Sequence, residues 1–120
     1  MRNTNIQTET IFASAARTAT ATASISCGSL GGIFVIHVTA ATATPSVVFN
    51  IDGTSGDTSW TIIDSAAITG TGTTVIRVHP SLTASANTIA KDILPSSIQV
   101  TAVHADTDSI TYSMEFIGVN

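Results

Sequence analysis

Charge is what this sequence has least of. Asp, Glu, Lys and Arg make up 10% of its 120 residues, against roughly 25% in an average soluble domain. Only four of those are basic, and the formal net charge is −4. So little positive charge argues against a surface that attracts nucleic acid or anionic membrane. Cys27 is the single cysteine, which rules out an intrachain disulfide and a Cys-based zinc cluster. No apolar run approaches the roughly 18–20 residues of a spanning helix, and residues 1–10 are too polar for a secretory signal. Leucine is scarce, with 3 residues, and so are Glu and Lys; the usual helix formers are missing.

What fills the space is threonine and serine. The chain holds 21 Thr, 14 Ser, 16 Ala and 15 Ile. Thr, Ile and Val are stiff at χ1 and suit a pleated surface. This is an all-β composition. The alternation agrees: Ile110, Tyr112, Met114 and Phe116 oppose Thr111, Ser113 and Glu115, the pattern of a strand with one face on a core. Val47, Phe49 and Ile51 form a second such row, and Ile76 with Val78 a third. Residues 33–38 are apolar on both faces, as in a strand covered on both sides, the outer one by a neighbouring subunit.

Turn chemistry separates these runs. Asp52-Gly53 with Gly56-Asp57, Gly70-Thr71-Gly72 and Asp106-Thr107-Asp108 each read as the tip of a hairpin. Residues 81–94 read as a long crossover with one helical turn, because Leu82, Ala86, Ile89 and Ile93 fit a loose helical spacing before Pro95. The expected architecture is an antiparallel β-sandwich, jelly-roll-like, of about seven or eight short strands. Residues 1–10 form a polar N-terminal arm, and 11–120 a single domain. The run Thr-Ala-Thr-Ala-Thr-Ala at 18–23 reads as one edge strand, with threonines on one face and alanines on the other.

Little in the chain points to catalysis. Cys27-Gly28-Ser29-Leu30-Gly31-Gly32 lacks the Lys-Ser/Thr of a P-loop and the spacing of a dinucleotide fingerprint, and Ser29 is not in a nucleophile elbow. No two of His37, His79 and His104 stand at metal-ligand spacing. Asp106 and Asp108 lack the remaining ligands of a calcium loop. Trp60 and Tyr112, the rings best able to stack on a sugar, sit within strand patterns and read as core. The expectation is a protein with no enzymatic activity, no cofactor and no metal.

Several stretches together resemble a family of small proteins encoded by tailed bacteriophages and prophages. They are residues 12–20 (Phe-Ala-Ser-Ala-Ala-Arg-Thr-Ala-Thr), 43–51 (Ala-Thr-Pro-Ser-Val-Val-Phe-Asn-Ile), 72–78 (Gly-Thr-Thr-Val-Ile-Arg-Val) and 104–113 (His-Ala-Asp-Thr-Asp-Ser-Ile-Thr-Tyr-Ser). Shorter matches at 38–40, 65–69, 86–88 and 93–95 extend the resemblance over most of the chain after residue 10. Residues 27–30 and 53–60 depart from the pattern. The resemblance implies a virion structural protein with no catalytic motif. Low charge and small Thr/Ala faces favour a capsid decoration (cement) protein, made in the host cytoplasm and bound outside the lattice of the major capsid protein. The alternative is a tail, neck or fibre component with a host glycan as ligand. Expected partners are the major capsid protein and further copies of the chain, with a trimer slightly favoured. The interface is expected at Asn5, Ile6 and Thr8 in the arm, and at Thr18, Thr20 and Thr22.

Overall fold

The structure, a computed structural model, describes residues 7–120. Asn5, Ile6 and the rest of 1–6 lie outside the described residues. The elements are β1 (Thr8–Arg17), β2 (Ala21–Ser26), β3 (Gly31–Ala41), β4 (Val47–Ser55), β5 (Thr58–Asp64), β6 (Gly72–Val78), β7 (Ile89–Ala90), β8 (Ser97–His104) and β9 (Ile110–Val119). Among the described residues there is no helix. One sheet has the order β1-β9-β3-β6-β7 and the other β2-β8-β4-β5. All pairings are antiparallel except the two-residue contact of β7 with β6. Setting β7 aside, eight strands form two four-stranded sheets in the order of a jelly roll. The ninth strand is the one addition to the expected count.

The core joins the rows that the alternation marks in β9 and β4 to inward-facing rows of β3 and β8. Ile110, Tyr112, Met114 and Phe116 of β9 and Phe34, Ile36 and Val38 of β3 face Val47, Phe49 and Ile51 of β4 and Ile98, Val100 and Ala102 of β8; all are buried. Phe49 and Tyr112 meet edge to face at 5.1 Å, and Phe12 stands edge-on to Tyr112 at 5.8 Å, the geometry favoured by the ring quadrupole. Arg17 lies over Tyr112, 4.6 Å from the ring centroid. Ile33 and Val35, on the outer face of β3, are only half-buried.

Several local expectations are corrected. The hairpin tip at 52–57 narrows to Gly56-Asp57: Asp52 and Gly53 belong to β4, which runs on to Ser55 and keeps its alternation through Thr54. The turns at 70–72 and 106–108 are not hairpins, because each carries the chain from one sheet to the other. Residues 18–23 are not one strand; 18–20 form the corner between sheets and only Ala21 onward pairs with β8. The crossover at 81–94 contains no helical turn. Asn87 stands at positive φ (65°), and Ala90 and Leu94 are the buried anchors while Ile93 is exposed. Thr8, Glu9 and Thr10, expected to be unpaired, are strand residues of β1 and pair with Ile117, Phe116 and Glu115.

Candidate assembly surface

One side of the sandwich is formed by β1 and β2, each the edge of its sheet. The two are joined at one end by residues 18–20. At the other end Gln7 bridges them, its amide nitrogen donating to Ser26 O and its amide oxygen accepting from Gly28 N at 3.1 Å. All the described members of the expected interface lie on this side. Thr8 is exposed at the start of β1, Thr18 is exposed at the corner, and Thr22 is exposed on the outer face of β2. Thr20 is exposed as well, but its hydroxyl accepts the His104 N–H at 3.1 Å and so caps the end of β8. The structure therefore spreads these threonines along one edge instead of gathering them in one patch.

The two edges differ in chemistry. β1 has two register shifts, between Thr10 and Phe12 and between Phe12 and Ala15. Arg17 donates to the carbonyls of Ala13 (2.7 Å), Ala15 (3.2 Å) and Tyr112 (2.9 Å). Bulges and a charge that holds the edge carbonyls are the devices by which a strand edge is kept from pairing. β2 has none of these. It pairs with β8 in unbroken register from Ala21↔Ala102 to Ser26↔Ser97. Just beyond, Cys27 N–H donates to Ser96 O at 2.8 Å, which fixes the phase of the ladder. Ala21, Ala23 and Ile25 bond to β8, while Thr22, Ser24 and Ser26 turn their N–H and C=O groups to the open side.

Beside this edge stands a polar cluster that sequence spacing did not reveal. His104 Nε2 and the Tyr112 hydroxyl are 3.1 Å apart. Burial, and then the Arg17 charge, push the His104 imidazole below its ordinary value, with Asp106 opposing. Burial raises the Tyr112 hydroxyl, and Arg17 offsets part of that rise. The cluster ties β8 to β9 through buried Tyr112. The alternation of β9 placed Tyr112 in the core, but nothing local in the sequence links it to His104.

The remaining candidates are engaged in separate local contacts. Cys27 is buried with its Sγ 3.4 Å from Ser29 Oγ, and Ser29 Oγ donates to Gly31 O at 2.9 Å, so its hydroxyl is engaged in the turn. Asp108 accepts from Thr44 N at 3.1 Å, and Asp106 accepts from the Asp108 N–H at 3.0 Å, both as turn contacts. His79 Nδ1 accepts from Ser81 Oγ at 2.7 Å and from Ser81 N at 3.1 Å, beside a groove of about 330 Å³ lined by Ile33, Arg77 and Leu82 among others. A Ser–His pair can generate a nucleophile, but here the serine's own backbone N–H shares the same nitrogen. That is the bonding of a capped turn.

Trp60 departs from its reading as core. It is 43% exposed, and it lies on Gly53 so closely that a Cβ there would stand 2.4 Å from the indole. The bulge in β4–β5 pairing between Ile51 and Asp52 brings Trp60 opposite Gly53. A glycine continuing the Val47, Phe49, Ile51 row is the sequence signal that was available for this close approach.

Family models, curated proteins and solved structures returned no match to this chain.

Proposed function

We propose that the chain is a non-enzymatic structural protein of a bacteriophage virion, a decoration protein that binds the outer surface of the major capsid protein lattice and stabilises the head. The observation that carries this reading is the β1–β2 side: an extended, threonine-rich edge, with Thr8, Thr18 and Thr22 exposed along it. Such a side suits a protein that buries surface by assembly rather than by enclosing a ligand. The resemblance of residues 12–20, 43–51, 72–78 and 104–113 to small phage proteins points the same way. The net charge of −4 suits the outside of a shell better than the side facing packaged DNA. The jelly roll is consistent with it, since that fold recurs in viral capsid and lectin domains, although fold does not decide function.

The test is to mix the purified chain with undecorated heads and, separately, with tails of the phage that encodes it, and to sediment each. The expected outcome is co-sedimentation with heads at a fixed copy number per capsid protein. Recovery with tails alone would refute the decoration role.

A second reading, a tail or fibre component with a glycan ligand, is favoured by one observation. The half-exposed Trp60 indole, packed against Gly53, is a surface on which a sugar ring could stack. Glycan binding that is lost in Trp60→Ala would move the assignment to this reading.

A further inference from the structure

We infer that β2 is an edge-pairing site for the β2 strand of a second copy of this chain, joined antiparallel about a two-fold axis that passes at Ala23. The inference is independent of the virion reading. It starts from a contrast among the edges. β1 carries two register shifts, Glu9 beside the core-facing Phe116, and Arg17 bound to its carbonyls. β5 carries Asp64, whose carbonyl accepts from Asn87 Nδ2 at 3.0 Å as the crossover passes. β6 carries Arg77 and a glycine at positive φ, and β7 lies along its last two residues. Among the described edges longer than the two residues of β7, β2 alone has no charge, no glycine, no proline and no register shift, over six residues. A flat, uncharged edge with open N–H and C=O groups is a template for strand addition.

The phase of the ladder selects the partner and the register. Thr22 and Ser24 turn their backbone groups outward and stand symmetrically about Ala23. A second β2 in antiparallel sense therefore sets Thr22 opposite Ser24 of the second copy and Ser24 opposite its Thr22. Each of these is a hydrogen-bonded pair that exchanges two bonds. The sum of paired positions is even, so the faces match. The Thr22 and Ser24 side chains share the outer face, and Ala21, Ala23 and Ile25 of both copies stay on the core side. A shift by one residue would turn one copy's core face to water. Shifting the centre to Ser24 would ask for the Ser26 carbonyl, which Gln7 already occupies. At the axis Ala23 meets Ala23 in a non-hydrogen-bonded pair, the closest approach in an antiparallel sheet, roughly 4.5 Å between Cα atoms; a methyl side chain suits that spacing. Because the strand is uncharged, two copies meet without like-charge repulsion. The product is one eight-stranded sheet running through both molecules.

The experiment uses the full chain. Light scattering after size exclusion is expected to give twice the 12.3 kDa of one copy. Ser24→Pro removes an N–H that faces away from β8, so the fold should keep its β circular dichroism while the mass falls to that of one copy. Thr22→Lys sets a charge in the pairing surface on the outer face and should have the same effect without touching the backbone. In a Cys27→Ala background, Ala23→Cys should oxidise to a disulfide-linked dimer, since the Cα spacing lies within disulfide range. Thr73→Cys, on β6, should not. A one-copy mass for the unaltered chain would overturn the inference. So would any oligomer that survives both Ser24→Pro and Thr22→Lys, a trimer included.

Discussion

Gly53 shows how a single residue sets local shape. It continues the buried row of β4, yet the space its side chain would occupy is filled by the indole of Trp60, 2.4 Å from an ideal Cβ. Gly53→Ala must therefore displace the indole or shift the strand. We expect a loss of about 1–3 kcal/mol, the usual cost of overpacking, with a red shift in tryptophan emission; urea unfolding and fluorescence check both. His104 sets a different kind of dependence. Its imidazole is held below its ordinary value by burial and then by Arg17, so the unfolded chain binds the proton more readily. Stability is then full above the ordinary histidine range and falls as pH drops through the lowered value. Melting temperature should decline between about pH 7 and 5, and less steeply in His104→Gln. An equal slope in the variant would show that His104 is not the group responsible. What matters about each residue is a neighbour brought by another strand, which the sequence marks for Gly53 only as a glycine in a buried row and for His104 not at all.

At the scale of elements, strands were legible and their partners were not. The alternation of β9 and of β4 marked buried rows correctly, since a period of two is a property of the strand itself. The turns at 70–72 and 106–108 also lie where the chain reverses. Turn chemistry reports a reversal without saying which strand comes next in the sheet, and here both reversals cross between sheets. The helical turn expected in the crossover failed for a related reason. Its spacing of apolar residues is satisfied instead by Ala90 and Leu94 closing the edge of the core, with Leu94 N–H donating to Leu30 O at 2.9 Å. β1 depends on a tertiary tie of the same sort. Arg17→Ala would release three carbonyls and the contact with the Tyr112 ring. We expect it to cost about 2 kcal/mol and to speed amide exchange along β1. Arg17→Lys should restore little, because one ammonium cannot reproduce the planar fork.

Among the described residues, the jelly roll interleaves the chain so that β4 and β5 are the only two consecutive full-length strands that pair with each other. Every other pairing of the eight joins segments distant in sequence, with the first strand lying against the last. This is why β1 and β2, neighbours in the chain, end as edges of different sheets on one side, and why that side became the candidate surface. The all-β class, the buried rows, the lack of charge and the presence of a crossover at 81–94 were determined by the sequence itself, because each follows from residue type and local period. Which strands became edges, that Thr18 to Thr22 split into a corner and a strand, that His104 met Tyr112 and that Trp60 stayed half-exposed on Gly53 were decided only by tertiary structure. Those facts depend on which segments pair across the chain, and a local pattern of side chains carries no information about its partner.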